Sequence, residues 1–342
     1  MSEIEKEKKK EKKKENILVS VIAPIRNEEN YIENFLNSLL SQDFPKKNLE
    51  VVLVDGMSED RTLDIINSFK GKFTRLKVCS NPNKTVQYAL NIGIRNASGF
   101  YIVRMDAHSE YSKDYISSCV ECLKNTGADN VGGSMIAKGK TKVQKVIAAA
   151  YHSKFALGGG KFHNEHYEGY ADTVYLGAFR KETLEKLNMY DERLPRSEDD
   201  DLNFRLIESG GKIFITPKIK SVYYPRSSYK ELFKQYYEYG IFKVAVIKKH
   251  KKPARISHLV PASFVLFMIL FGLLSFFSKP AMCVFWSIMT LYLILNIYYS
   301  FKNKYLSSFS DKLRLVFVHF ILHVSYGLGF IVGIFKFLNK KL

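Results

Sequence analysis

Residues 100–111, FYIVRMDAHSEY, decide how the front of this chain is read: an apolar stretch with strand character breaks into a polar turn at Asp106. Asp106 and His108 stand two positions apart there. In extended backbone, positions i and i+2 point the same way, so both side chains can reach one point beyond the edge of a sheet. A carboxylate oxygen and a neutral imidazole nitrogen at such a point make a small open site for a divalent cation, with positions left for water and a phosphate-bearing ligand. The plainer alternative is that Asp106 ends the strand and His108 is a turn residue. Spacing alone leaves both open.

Upstream, 17–25 (ILVSVIAPI) reads as a buried strand and 30–42 as an amphipathic helix with apolar positions at 31, 32, 35, 36, 39 and 40. A strand at 49–55, a helix at 59–70, a strand at 75–80, a helix at 85–97 and the strand 100–106 continue the alternation. Four strands alternating with helices imply an α/β fold, a mostly parallel sheet sandwiched by helices. Ligands of such sheets bind outside the carboxyl ends of the strands. That rule selects Arg26, Asn27 and Glu28 after the first strand, Asp55 after the second, Asn81 after the third, and Asp106 with His108 after the fourth. No G-x-x-x-x-G-K-[ST] and no strand-linked G-x-G-x-x-G is present, so a glycine-rich phosphate loop is not supported.

The chain has 342 residues, 46% of them hydrophobic, and its apolar residues are unevenly spread. From Leu259 onward, long runs are almost devoid of charge. The runs 259–277 and 281–299 each approach the roughly 20 apolar residues that cross a bilayer. A third, 315–335, carries His319, His323, Ser325 and Tyr326, which leaves open whether it spans, lies in the interface or re-enters. Basic residues in 243–255, and Lys302, Lys304, Lys312 and Arg314 between the second and third runs, predict a multi-pass protein of the plasma membrane whose front domain faces the cytoplasm. Lys336, Lys340 and Lys341 would lie outside if the third run spans, against the same rule. No apolar stretch precedes Ser20, so no cleavable signal peptide is expected.

The net charge of +18 is concentrated in the lysine-rich start and in the juxtamembrane segments. Attraction to anionic lipid explains that distribution more simply than nucleic-acid binding, and no nucleic-acid partner is expected. The expected organisation is a disordered charged tail (1–16), an α/β domain (17–228), an amphipathic interface segment (229–256) and a membrane region (257–342). Cys119 and Cys122 form a C-x-x-C, but on a helical pattern and without a second pair, so they read as packed thiols.

The segments SVIAPIRNEENYIENFLNSLLSQ (20–42), VVLVDGMSEDRT (51–62), ALNIGIRNASGFYIVRMDAHS (89–109) and YLGAFRKETLEKLNMYDERLPRSEDDDLNFRL (175–206) resemble, in order, the inverting GT-A glycosyltransferases of family 2. MDAHS, LGAFR and YYPRSS, with the apolar tail, are most similar to the ExoA-like membrane-anchored glucosyltransferases of succinoglycan assembly. The resemblance implies a nucleotide-diphospho-sugar transferase fold, a nucleotide-sugar donor such as UDP-glucose and a divalent cation, Mn²⁺ or Mg²⁺. It implies a membrane-held acceptor, a polyprenyl-diphosphate-linked saccharide, in exopolysaccharide or surface glycan synthesis. Direct transfer to polyprenyl phosphate and a non-catalytic nucleotide-binding scaffold are the alternatives.

Position by position, Asp55 matches the acid that contacts uridine, and Arg26, Asn27 and Glu28 match the loop that frames the nucleotide. Lys84 stands where a basic residue approaches the base or pyrophosphate. Asp106 and His108 occupy the D-x-D motif, with His replacing the second acid. Gln235 falls in the zone that closes the active site. In RSEDDDLNFRL (196–206), four consecutive acids open a helical pattern. Acids favour a helix N-terminus, but one or two suffice, and crowded carboxylates raise one another's pKa. The family motif makes Asp199 the base and Glu198 its support, and implies single displacement with inversion.

Overall fold

The computed structural model describes residues 18–253 and 255–340. The tail expected to be disordered lies outside them. In chain order the elements that matter are β1 (Val19–Ile25), α1 (Ile32–Leu40), β2 (Leu49–Asp55), α2 (Thr62–Ser68), β3 (Leu76–Ser80), α3 (Val86–Asn96), β4 (Tyr101–Arg104) and α4 (Tyr115–Thr126). There follow β5 (Asn130–Gly132), α5 (Lys142–Tyr151), β6 (Gly169–Ala171), β7 (Ala178–Arg180), α6 (Lys181–Lys186), α7 (Glu198–Glu208) and β8 (Ile213–Ile215). The chain continues in helices α8 (Tyr229–His250), α9 (Val260–Leu274), α10 (Lys279–Lys302) and α11 (Phe309–Phe337).

Eight strands form one mixed sheet in the order β3-β2-β1-β4-β7-β5-β8-β6. The joins β3–β2, β2–β1, β1–β4 and β5–β8 are parallel, whereas β7 and β6 run antiparallel to their neighbours. Every residue of β2 is buried, as a strand covered on both faces requires. Period-2 alternation divides the core. Val19, Val21 and Ala23 with Val51 and Leu53 cluster with Phe35, Leu36 and Leu39 of α1 and Ile116 and Leu123 of α4. Their neighbours Ile22, Val52, Val54 and Ile102 cluster instead with Ala89, Leu90 and Ile94 of α3 and Leu202 of α7. A one-residue slip of any of these strands would exchange its two faces, so the pattern also fixes register.

The chain divides into two compact units: residues to Met135 with Glu165–Val222, and Ile136–Asn164 with Tyr223 onward. The stretch 136–164, read from sequence as part of a continuous catalytic domain, therefore groups with the C-terminal helices. Within that second unit the Ala149 carbonyl accepts from Asn303 Nδ2 at 3.0 Å, and the Phe155 carbonyl meets His323 Nε2 at 2.9 Å. The segments Ile256–Leu274, Lys279–Lys302 and Phe309–Phe337 are long and apolar enough to cross a membrane.

Candidate active site

Register aligns the strand ends of the first unit. Ile25 pairs with Asp55, Asp55 with Ser80, and Ile22 with Arg104, so the segments that follow these strands leave the sheet along one rim. The first two rim loops are laced together. Asp55 is buried and accepts from the Ser58 hydroxyl at 2.5 Å and the Ser58 N–H at 3.1 Å. Asn27 donates its N–H to Ser58 Oγ at 2.9 Å and accepts from the Glu59 N–H at 2.9 Å. Glu28 donates its N–H to Thr62 Oγ1 at 2.8 Å. Arg26 is exposed, with its Cβ against Gly56, and Lys84 reaches the same loop through Glu59 at 3.7 Å. Asn81, buried after β3, donates its N–H to the Asp55 carbonyl at 2.7 Å.

The Asp106 backbone is pinned by Tyr111, whose hydroxyl accepts the Asp106 N–H at 2.6 Å and donates to the Asp106 carbonyl at 3.0 Å. Its carboxylate meets Arg104 through Nε at 3.1 Å and Nη2 at 3.3 Å, and Arg104 Nη1 lies 3.3 Å from Glu198 Oε1. Burial alone would raise the Asp106 carboxyl, but Arg104 and then His108 outweigh it and hold it below the usual carboxylate range. His108 Nδ1 lies 3.4 Å from Glu28 Oε1, which closes the first loop onto the fourth.

α7 brings the acids to this rim. Leu202 and Leu206 bury its apolar side, and Asn203 ties it to Asn130 of β5 at 2.8 Å and to Thr173 at 2.9 Å. Asp201 is fully buried and paired with Arg205 at 2.9 Å, while Arg205 also donates to the Leu187 and Met189 carbonyls. These two residues anchor the helix. Ser197, just before it, is left-handed at φ 61°, and the turn lets Glu198 and Asp199 face the rim. Asp199 is open to solvent yet ringed by protein. Its carboxyl is pushed up to about 7, chiefly by burial, then by the like charges of Glu198 and Asp200, with Arg104 acting in the opposite sense.

Left-handed backbone at non-glycine residues recurs around the rim: Asn27 (φ 54°), Met57 (60°), Lys84 (60°), Leu176 (64°) and Ser197 (61°). Such conformations cost about 1–3 kcal/mol each and persist where surrounding structure forces them, as at ligand sites. Among the described residues no group of three His, Cys, Asp or Glu could hold a metal ion unaided. Asp106, 13% exposed, and His108, 43% exposed, offer one carboxylate and one imidazole, a donor set suited to a cation that takes most of its ligands from a bound phosphate compound. Gln235 belongs to the second unit, where it donates to Tyr239 Oη at 3.0 Å.

Sequence reasoning passed over Arg104. Its signal was a lone charge in an apolar strand, two positions before Asp106 and hence on the same side of it. Tyr111 and Ser58 gave no signal, because Tyr111 holds backbone and Ser58 ties the Asp55 carboxylate to the Asn27 loop.

A mixed sheet whose acids gather at the carboxyl rim is the architecture of GT-A glycosyltransferases. The sequence model for glycosyl transferase family 2 matches residues 20–187. Over 239 residues the chain is 32% identical to a dolichyl N-acetyl-α-D-glucosaminyl phosphate 3-β-D-2,3-diacetamido-2,3-dideoxy-β-D-glucuronosyltransferase of Methanococcus voltae, covering 68% of this chain and 74% of the relative. It is also 32% identical over 243 residues to the succinoglycan biosynthesis protein ExoA of Rhizobium meliloti, covering 70% of this chain and 73% of the relative. The mannosyltransferase PcManGT of Pyrobaculum calidifontis, solved with GDP-mannose and Mn²⁺, shares the fold with a TM-score of 0.62 at 17% identity, covering 93% of this chain and 87% of the other. The chain belongs to glycosyltransferase family 2.

Proposed function

We propose that the protein is a metal-dependent, inverting hexosyltransferase that moves a sugar from a nucleotide donor, UDP-glucose or a similar UDP-hexose, to a polyprenyl-diphosphate-linked saccharide at the cytoplasmic face of the plasma membrane. The observation that carries this reading is the geometry of the rim, where Arg104 grips both Asp106 and Glu198 and so sets Asp199, whose carboxyl is pushed up by burial and the crowded acids, beside the Asp106 loop. A catalytically silent scaffold gives no reason for that carboxyl. The activity for which the Methanococcus relative is named, transfer to a dolichyl-phosphate-linked sugar, and the three apolar helices support a lipid-linked acceptor.

Asp55, Asn27, Glu28 and Arg26 frame the nucleotide, and Lys84 offers a cation to its phosphates. Asp106 and His108 would hold a divalent ion, Mn²⁺ or Mg²⁺, which would supply positive charge to the departing diphosphate. Asp199 takes the proton of the acceptor hydroxyl as that oxygen bonds to the anomeric carbon and the sugar–phosphate bond breaks. Glu198 keeps the pair of acids crowded and so keeps the base weakly acidic. One displacement from the face opposite the leaving group inverts the centre, and an α-linked donor gives a β-linked product.

The test is nucleotide release from UDP-glucose by membranes containing the protein, with Mn²⁺, with Mg²⁺ and with chelator. Release that requires a divalent ion and a lipid extract is expected. Release unaffected by chelator would overturn the metal assignment, and absence of release with every UDP-hexose would overturn the donor.

A further inference from the structure

Arg104 touches two carboxylates that the proposed reaction assigns to opposite partners, and the inference below rests on that reading. It ends β4 with its N–H on the Gly177 carbonyl at 3.1 Å, and it is 9% exposed. Nε and Nη2 form a fork on the two oxygens of Asp106, at 3.1 and 3.3 Å, and Nη1 reaches Glu198 Oε1 at 3.3 Å. The buried Tyr190 hydroxyl lies against the same guanidinium, and burial leaves that phenol neutral. A planar fork fixes the plane of a carboxylate as well as its charge, which a point cation cannot do. Without Arg104, two largely buried carboxylates would stand unpaired.

We propose that Arg104 is a positioning residue that yokes the donor side of the centre to the acceptor side: one guanidinium shared between Asp106 and Glu198 orients both, so that loading of Asp106 is felt at the first turn of α7. The physical basis is competition for lone pairs. An ionised carboxylate offers about four acceptor sites, and the fork takes two. Positive charge gained on the remaining two weakens the fork, and the guanidinium then bears more heavily on Glu198 and the adjoining Asp199. The same guanidinium already draws the Asp199 carboxyl downward against Glu198 and Asp200.

The experiment is a double-mutant cycle on the full chain: Arg104→Met, Glu198→Gln, the pair, and Arg104→Lys as the conservative variant. Two quantities are read. One is Mn²⁺-dependent binding of UDP to detergent-solubilised protein by calorimetry. The other is kcat and KM for UDP-glucose turnover in membranes. Arg104→Met should lower kcat by about 100-fold, with Mn²⁺-dependent UDP binding unchanged within about threefold or tighter, since a cation beside Asp106 has been removed. Arg104→Lys should recover part of kcat, and the pair should lose no more than the worse single variant.

Losses that multiply in the pair would overturn the yoke. So would UDP binding that falls in step with kcat in a variant whose thermal unfolding matches the parent. If Arg104→Met does not fold, Arg104→Lys, which keeps a charge between the two acids, decides the matter by the same criteria. A parent that neither binds UDP with Mn²⁺ nor turns over UDP-glucose removes the function proposed above, a result distinct from failure of the cycle.

Discussion

At the amino end of β2 and at the rim beyond its carboxyl end, one catalytic unit keeps carboxyl groups under opposite conditions. Glu50, 2% exposed, is surrounded by donors: the Ser20 hydroxyl, the Ser98 N–H at 2.7 Å, the Ser98 hydroxyl at 2.9 Å and Lys77 Nζ at 2.8 Å. Burial raises its carboxyl, but Lys77, Ser20 and Ser98 prevail and bring it down to about 2. Asp199 has acids for neighbours and is driven up to about 7. Glu50 is sheltered and Asp199 is open to solvent, yet the surrounding protein raises both carboxyls, so the sign is set by what completes the shell. A satisfied carboxylate stabilises the fold. A crowded one costs stability and gains a proton affinity matched to neutral solution, the mark of a working base.

The largest effect expected from this contrast falls on turnover. Asp199→Asn keeps shape and removes the proton acceptor, so nucleotide release should drop about 100- to 10,000-fold while UDP binding persists. Thermal stability at pH 8 should hold or rise, because a charge crowded by Glu198 and Asp200 is gone. Unchanged turnover in this variant would refute the base. In the parent, kcat should climb as pH rises through about 7, where Asp199 ionises. The folded pKa is raised, so the stabilisation from its protonated form is present below about 4 and is lost as pH rises to about 7. Activity and stability should therefore move in opposite directions across that window.

Glu50→Gln should do the reverse, leaving kcat of the folded enzyme alone and lowering stability. The depressed pKa places the Glu50 contribution above pH 4.5, with loss as pH falls toward 2. A shift of that size corresponds to about 3 kcal/mol, less what solvent screening takes from the exposed Lys77 pair, read as a lower urea midpoint at pH 7 that converges with the parent in acid. A kcat loss matching that of Asp199→Asn, in protein shown to be folded, would dissolve the distinction between the two ends of the sheet.

The contrast also separates what the sequence disclosed from what it withheld. β1, β2, β3 and β4 and the helices between them were legible, because each apolar residue answers to local periodicity: odd residues of β1 meet α1 and α4, even ones meet α3. The rim followed from the strand order, since Asn27, Asp55 and Asp106 each stand at the end of a strand that could be counted. Arg104 and Glu198 are 94 residues apart, and a pairing at that range has no local signature. The grouping of 136–164 with the C-terminal helices was hidden for the same reason: it depends on Asn303 and His323.

The third apolar run shows the limit of composition. By length and apolar content it resembles the other two, yet 50% of its span is buried against 6% for each of them. Gly240 of α8 and Gly329 and Gly333 of α11 let two helix backbones meet, and a Cβ at Gly329 would come within 2.0 Å of the Tyr237 carbonyl. α9 and α10 instead present Leu270, Leu273, Trp286 and Leu293 outward, faces that a bilayer would cover.

The smallest effect sharpens the comparison most. Lys77, with 46% of its side chain accessible, and Ser98 are the exposed members of the Glu50 shell described above, and Lys77 Nζ also lies 2.8 Å from the Asn96 carbonyl. A solvent-screened ion pair is worth about 0–1 kcal/mol, whereas a buried acceptor left without donors costs more. Lys77→Met should therefore cost under about 1 kcal/mol, because Ser20 and Ser98 still cover both oxygens of Glu50. Ser98→Ala, which removes a hydroxyl donated to the buried Glu50 Oε1 and keeps the N–H, should cost about 1 kcal/mol or more. If Lys77→Met proves the costlier change, and its cost shrinks with added salt, then the amino end of β2 is held by a charge pair and not by its hydrogen-bond shell. Glu50 would then differ from Asp199 only in the sign of its nearest charge.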